Sequence, residues 1–501
     1  MAPPIPSGRQ ILRRIARTAM LERGLLPEFS GAAMHETSAL RDGAQLQSVS
    51  GGHSLAGEVR DLRHLLWCSI DNDDSRDLDQ LSVAEPRSGG AVGVLVAIAD
   101  VDALVHRGSA IDDHARHNTT SVYTAGRIFP MLPERLSTDL TSLGQGEERL
   151  ALIVDMEVDG QGRVGEADLY HAMVLSRAKL AYDSVGAWLE GSAPIPPAAA
   201  AVPGMDAQLR IQDGVAAALR AQRHAHGALT LETIQTHAVF EEDALRDLLP
   251  DRKGRARELI EDLMIAANGA TARFLEGRHF PSIRRVLNIP TRWDRIVALA
   301  KQAGESLPPI PDALALNTFL VRRRQIDPDG FADVSLAVVK SLGRGEYAAE
   351  PAGQRVSGHF SLAVSDYTHS TAPNRRFPDI ITQRLVKAAL AGRPPLYAGQ
   401  ELAELATHCT DQEDNAAKVE RRVAKSAAAL LLADRIGETF DALVTGAASK
   451  GTWVRIFHPA VEGKLTQGFA GADLGHRLRV RLVHVDIERG FIDFAKVRDS
   501  S

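Results

Sequence analysis

Apolar and polar positions along the chain separate it into textures before any chemistry is considered. Over residues 9–24, Ile11, Leu12, Ile15, Met20 and Leu21 recur at helical spacing, with Ser7 placed to cap and the arginines mostly off the stripe. From Phe29 to Gly57 the chain is rich in Gly, Ser and Ala, which predicts loops and short strands. Leu65–Ile70 is a short apolar run ending on Asp71, while Ala91–Asp100 (AVGVLVAIAD) and Leu150–Val158 read as buried strands. Helical patterns alternate with these to about residue 190, and the Pro/Ala-rich stretch 191–204 predicts a surface loop inside a domain. Arg252–Arg273, Asp379–Ala391 and Glu401–Ile436 read as helices, the last with many alanines that suit close packing. After Gly437 short strands follow at Phe440–Thr445, Thr452–Phe457, Leu478–Val485 and Phe491–Phe494, punctuated by glycines that include Gly463 and Gly471. That texture predicts a small five-stranded barrel of the OB type. The expectation is an α+β multidomain protein: an Arg-rich helical, helix-turn-helix-like nucleic-acid-binding module over 1–60, a mixed α/β core over 61–435, and an OB-type β-barrel over 436–501.

Composition narrows the class. A chain of 501 residues exceeds what one core organises, and 44% hydrophobic with 24% charged residues is ordinary for a globular protein. No run approaches the roughly 18 apolar residues of a membrane span, and Met1–Gly8 lacks the pattern of a secretory signal. With Cys68 and Cys409 as the only cysteines, a disulfide framework and a Cys-rich zinc site are excluded. These features point to a soluble cytoplasmic protein with no membrane partner. No P-loop pattern is present, so no ATP motor is expected, and neither His114/His117 nor His224/His226 has a third ligand nearby.

A net charge of −6 argues only weakly against a nucleic-acid partner, because binding follows local fields. Residues 1–25 carry Arg9, Arg13, Arg14, Arg17 and Arg23 against Glu22 alone. Further basic clusters occur at Arg252/Lys253/Arg255/Arg257, Arg322–Arg324, Arg375/Arg376, Arg421/Arg422 and Arg477/Arg479/Arg481. Any one of them suits a solvated face; together they raise RNA or DNA as a partner.

The run from Cys68 to Gln80 (CSIDNDDSRDLDQ) is the most informative in the chain. Asp71 ends an apolar strand, and a short loop can return Asp77 and Asp79 toward it, the two pointing the same way if extended. Such carboxylates are ionised at neutral pH and are hard oxygen ligands suited to Mg²⁺, which activates water and stabilises a phosphoryl oxyanion. The same composition also suits an acidic surface turn. A second crowded segment runs from Gly358 to Asp379, where Arg375 or Arg376 could clamp a phosphate bidentately; the plainer reading is a helix start with surface arginines.

Together these segments are similar to the ribonuclease II / ribonuclease R exoribonuclease (RNB) family. The first matches the family's IDxxxxxDxDD element, and Tyr367–Asp379 (YTHSTAPNRRFPD) matches YxHFTSPIRRYPD. Ile98–Asp100, Ser121–Thr124, Pro130–Ser137, Leu180–Asp183 and Ile260–Asn268 also resemble family signatures, in order, over roughly residues 65–435. The resemblance implies a processive hydrolytic exonuclease that degrades RNA from its 3′ end to nucleoside 5′-monophosphates, with Mg²⁺ (or Mn²⁺) as cofactor. It implies that Asp71, Asp77 and Asp79 hold metal at the scissile phosphate and that Arg375 stabilises the transition state, with Arg376 beside it on the RNA. Tyr123 matches a tyrosine that packs on the 3′-terminal nucleotide and helps set where digestion stops. Tyr182 and Glu261 match positions associated with ribose recognition, with Asp262 the alternative to Glu261.

Two departures from the family pattern stand out. The fourth acidic position is Gln80, whose carbonyl can ligate Mg²⁺ but brings no charge. The two cold-shock barrels usual before the core do not fit into about 60 residues of helical, Arg-rich sequence, with a single degenerate barrel the alternative to the helix-turn-helix-like module; a smaller N-terminal roof would leave the RNA entrance more open to duplexed substrates. The C-terminal segment resembles the ribosomal S-one type of OB fold, with Trp453, Phe457 and His458 as candidate stacking groups and Lys450, Arg455, Lys464 and Arg479 as phosphate contacts. The expected molecule is a monomer of 54.0 kDa. The rival is a catalytically weak or inactive RNA-binding protein of the same family, for which Gln80 is the support.

Overall fold

The computed structural model describes residues 7–40, 59–232, 236–250, 254–328, 330–448, 451–473 and 475–497. Its centre is a seven-stranded, mostly antiparallel sheet of order β1-β8-β7-β4-β3-β2-β9. The strands are β1 (Arg60–Asp61), β2 (Cys68–Asp71), β3 (Gln80–Pro86), β4 (Val92–Ala99), β7 (Glu148–Val158), β8 (Val164–Leu175) and β9 (Ala178–Ala181), with a small hairpin of β5 (Val122–Tyr123) and β6 (Ile128–Phe129) apart from it. In β4 the seven residues Gly93–Ala99 are all buried, as its unbroken apolar run requires of a strand covered on both faces. Outside this sheet, β10 (Thr236–Glu241) pairs with β11 (Ala244–Pro250), and β12 (Ser282–Val286) with β13 (Glu346–Glu350).

The helices are α1 (Gly8–Glu22), α2 (Gly31–Ala39), α3 (Ala110–Asn118), α4 (Tyr182–Leu189), the single turn α5 (Pro197–Ala200), α6 (Met205–Ala225), α7 (Arg255–Gly277), α8 (Trp293–Gln302), α9 (Ala313–Ile326), α10 (Phe331–Leu342), α11 (Phe377–Leu390) and α12 (Gly399–Leu432). Among the described residues, none is long and apolar enough to cross a membrane. α7 is buried along most of its length against the sheet, α4 and α6. α11 is fixed by charge as well as packing. Arg384, fully buried, donates to Asp102 (2.7 Å), Asp112 (2.8 Å) and Tyr397 (2.9 Å), and Lys387 reaches Asp100 at 2.9 Å.

Downstream lies a closed barrel of β14 (Thr439–Ala448), β15 (Gly451–Ile456), β16 (Val461–Gln467), β17 (Arg477–Asp486) and β18 (Phe491–Lys496), in the order β14-β15-β16-β18-β17. The five-stranded barrel read from the sequence is therefore present. Gly463 differs from its reading as a turn marker: it sits inside β16, where a Cβ would come within 2.5 Å of the Phe494 ring. The strand thus needs a glycine that the pattern of apolar positions cannot show.

Two other expectations are modified. The 191–204 stretch is not only surface, since Ala199 on α5 is buried in the main core. The two N-terminal helices share cores with other elements. α1 buries Leu12, Ala16, Ala19 and Met20 against Ala416, Val419 and Val423 of α12 and Val122 and Phe129 of the β5–β6 hairpin, while Ala33 of α2 joins the main core and α2 packs on α3. The loop of the hairpin lies so close to α1 that a Cβ on Gly126 would stand 2.6 Å from the Leu12 and Arg13 backbone. Arg9, Arg14 and Arg17 of α1 are paired with Asp243, Glu488 and Glu28. Of the Arg252/Lys253 cluster and the 41–58 stretch, the described residues include none of 41–58, 252 or 253.

Candidate active site

The central sheet delivers the acidic motif to one place. β2 ends at Asp71, and its parallel neighbour β9 sets Asp71 opposite Ala181, so Tyr182 at the start of α4 stands beside it. The chain then loops through 72–79 and re-enters the sheet as β3 at Gln80, paired with Ile98. Asp71 accepts from Ser75 Oγ at 3.0 Å and from the Asn72 N–H at 2.7 Å, which curls the loop over the strand end. Asp77 is half-buried and accepts from the Tyr123 hydroxyl at 3.2 Å. Asp79 is 2% exposed and accepts from the Asn374 N–H at 2.8 Å. Arg375 places Nε 3.4 Å from Asp79 Oδ2, with its own side chain 44% exposed toward the cleft.

Burial dominates the electrostatics. It pushes the Asp79 carboxyl up to about 7, opposed by Arg375 and the Asn374 N–H and reinforced by Asp77. Asp77 is also raised, first by burial, with Arg375 lowering it and Asp71 raising it. The carboxylates thus lie in one another's fields with the Arg375 guanidinium against them. Among the described residues, no three His, Cys, Asp or Glu side chains converge into a set that could hold a metal ion. The donor chemistry nevertheless fits Mg²⁺: carboxylates are hard oxygen ligands, and burial raises both Asp77 and Asp79 against the opposing charge of Arg375.

Tyr123 is 42% exposed and is anchored through its backbone, which donates to Glu420 Oε1 of α12 at 2.9 Å. Glu420, next to the Arg421/Arg422 cluster, therefore faces the site. Two residues earlier, the Ser121 N–H donates to the Arg375 carbonyl at 3.0 Å, which ties the segment of the tyrosine to that of the arginine. The two candidates Glu261 and Asp262 are placed differently on α7. Asp262 is 2% exposed and held by Arg220 (2.8 Å) and Arg223, whereas Glu261 is exposed and acts on the Tyr182 hydroxyl electrostatically. Burial, with Asp71 next, raises that hydroxyl above its ordinary range.

Arg257, read only as one of a basic cluster, belongs here. Its guanidinium lies 5.1 Å from the Tyr182 ring centroid and donates to Asn72 Oδ1 at 2.9 Å. Asn374 carried no signal of its own, because its contribution to Asp79 is a backbone N–H.

Two arginines expected on RNA phosphate make ion pairs within the protein. Arg376 donates to Asp379 at 2.8 Å behind the loop, a pairing that ties it to the start of α11. Arg455 pairs with Asp333 of α10 at 2.9 Å, its side chain 13% exposed, and docks the barrel on the core. On the barrel exterior, half-buried Trp453 is directly opposite exposed Lys464 in the β15–β16 register, and half-buried Phe457 lies 5.9 Å from Arg477. Arg479 approaches Asp441 at 3.9 Å. Lys450 lies outside the described residues.

Comparison with known proteins places these features in context. Residues 59–392 match the RNB domain, and residues 438–497 match the RNase II-type exonuclease C-terminal S1 domain. Ribonuclease R of Thermotoga maritima is 29% identical over 474 residues, covering 88% of this chain and 65% of the relative. Ribonuclease R of Escherichia coli is 28% identical over 495 residues, covering 88% and 58%. The chain thus spans less than two thirds of the length of these relatives. Among solved structures, Mycoplasma genitalium RNase R in complex with double-stranded RNA superposes with a TM-score of 0.83 at 25% identity, covering 97% of this chain and 83% of that one. The same enzyme in complex with ribose-methylated single-stranded RNA gives a TM-score of 0.84 at 24% identity, covering 97% and 78%, a likeness of fold.

Proposed function

From the premise that this chain belongs to the RNB-domain family, we propose that it is a hydrolytic, processive 3′-to-5′ exoribonuclease that releases nucleoside 5′-monophosphates. The observation that carries the reading is the pair of contacts beside the strand end that bears Asp71: Arg375 lies 3.4 Å from Asp79, and the Tyr123 hydroxyl lies 3.2 Å from Asp77. Acidic oxygens, one cation and an exposed aromatic ring at the same spot suit phosphodiester cleavage at the end of a strand.

Each residue has a role that follows from its placement. The Arg375 guanidinium, half-exposed and already oriented by a buried carboxylate, meets charge developing on the phosphoryl oxygens. Tyr123 offers its ring to the terminal base while its hydroxyl fixes Asp77. Tyr182 and Glu261 face the position of a ribose, whose 2′-hydroxyl is the group that distinguishes RNA from DNA. Asp71, Asp77 and Asp79, with the Gln80 carbonyl, would hold Mg²⁺ or Mn²⁺, which when bound supplies an activated water and stabilisation of the oxyanion. Trp453 and Lys464 on the barrel supply a stacking face and a phosphate contact for the incoming strand. The reading includes action as a monomer on cytoplasmic RNA.

A time course on 5′-labelled single-stranded RNA, with Mg²⁺ or EDTA and beside a matched DNA, tests it. A metal-dependent ladder collapsing to a short product with DNA intact is expected, and Asp79→Asn is expected to abolish it while RNA binding persists. RNA that is bound but left intact by the wild-type chain would instead favour the binding-protein reading, for which Gln80 in place of a carboxylate is the specific observation.

A further inference from the structure

The two halves of the site come from distant parts of the chain: Asp77 and Asp79 from the β2–β3 loop, and Arg375 from the loop before α11. We propose, resting on the exonuclease reading, that Thr141 and Ser142 are positioning residues that fix the spacing between these halves. They follow the irregular helical turn Leu136–Leu140 and sit behind the cleft, 0% and 3% exposed.

Each hydroxyl grips one half. Ser142 Oγ donates to the Arg76 carbonyl at 2.7 Å and accepts from the Leu78 N–H at 3.1 Å, so it holds the backbone on both sides of Asp77. The next residue adds a third bond, with the Leu143 N–H donating to the Leu78 carbonyl at 2.9 Å. Thr141 Oγ1 lies 2.6 Å from the Asn374 side-chain amide and 2.8 Å from the Leu136 carbonyl. Asn374 in turn precedes Arg375 and gives its backbone N–H to Asp79. The result is a closed circuit: Asp79 to Asn374, Asn374 to Thr141, Thr141 to Ser142 along the chain, Ser142 to Leu78, and Leu78 back to Asp79.

The Thr141 hydroxyl donates to Asn374 Oδ1, and its 2.6 Å length is that of an O–H···O bond. The Leu136 carbonyl has a second donor in the Thr141 N–H at 3.0 Å, which leaves the single hydroxyl proton for Asn374.

The circuit is more than packing, because an apolar filler would close the same space without the cost of burying polar groups. The polar joint between Thr141 and Asn374 lies one residue from Arg375. Neither hydroxyl reaches the cleft, so both act through Asp77, Asp79 and Arg375.

The test uses the full chain with Mg²⁺ and single-stranded RNA. Thr141→Val and Ser142→Ala are each expected to lower kcat about 10- to 100-fold, as loss of an outer-shell partner does, with KM moved by less than about twofold. Thr141→Ser keeps the hydroxyl and is expected to keep kcat. The pair Thr141→Val with Asn374→Ile removes both polar groups and is expected to recover most of what Thr141→Val loses. Unchanged kcat in Thr141→Val and Ser142→Ala, or loss of melting temperature alone, would overturn the proposal. Native-state hydrogen exchange decides it independently of turnover: Ser142→Ala is expected to speed exchange of the Leu78 amide and Thr141→Val that of Asn374, and unaltered protection at both would overturn it. A wild-type chain that leaves RNA intact would sink the exonuclease reading, and the exchange data would still settle the circuit.

Discussion

Arg375 holds its Nε 3.4 Å from Oδ2 of Asp79, a carboxylate 2% exposed that no second cation among the described residues pairs with. The pair is lopsided, since burial wins over the arginine and leaves the Asp79 carboxyl at about 7. A carboxyl unfolded near 4 and folded near 7 binds more protons when folded, so stability is greatest below the unfolded value and falls as pH rises toward 7. In EDTA, Asp79→Asn is therefore expected to raise the melting temperature at pH 8. The gain should be at most about 4 kcal/mol, the full value of a three-unit shift, and should shrink toward pH 4. Melting curves of the two proteins across pH check this; a gain that grows toward acid would contradict it.

At Tyr123 the hydroxyl and the ring have separable jobs. Tyr123→Phe removes a donor from the charged form of Asp77, which pushes that carboxyl further up. The acidic limb of the rate profile should then move to higher pH with the end product unchanged. Tyr123→Ala removes the ring as well and should change the length of the end product. Gels at single-nucleotide resolution, run across pH, distinguish the two effects.

The barrel separates a docking arginine from a binding lysine. Arg455 faces Asp333 across a mostly buried contact, whereas Lys464 is exposed beside Trp453. Lys464→Ala should reduce the slope of log affinity for RNA against log salt by about one. Arg455→Ala should leave that slope and instead destabilise the protein, coupled to Asp333→Ala by about 0.5–3 kcal/mol in a double-mutant cycle. Filter binding at several salt concentrations and urea titration supply the readouts.

Away from the site, Arg384 is the fully buried cation that joins Asp102, Asp112 and Tyr397. Arg384→Met keeps volume but leaves the carboxylates without that partner, and should cost about 3–5 kcal/mol. A fall in the urea midpoint with an unchanged slope would match this; a neutral outcome would show that Lys387 alone suffices for Asp102.

Much of this site was legible because its chemistry sits in contiguous runs. The 68–80 and 367–379 segments carry their residue types at fixed offsets, and strand ends and prolines hold them. The barrel was legible for a similar reason, since alternation and glycine spacing repeat over short strands. What the sequence did not show was which charges pair. Arg455 meets Asp333, 122 residues away, only once α10 and the barrel are packed, whereas Arg376 pairs with Asp379 three residues on in the same segment.

By itself, the sequence determined the family, the barrel and the order of the acidic and arginine elements, because each of these is written in local spacing and residue type. Only the tertiary structure decided that α1 and α2 share cores with the rest of the chain, that Glu261 rather than Asp262 faces Tyr182, and that Thr141 and Ser142 bridge the two halves of the site. The physical reason is the same in each case. A hydrogen bond or ion pair acts over about 3 Å, and the partners here are tens to hundreds of residues apart along the chain, so nothing short of the packed fold can say which of them meet.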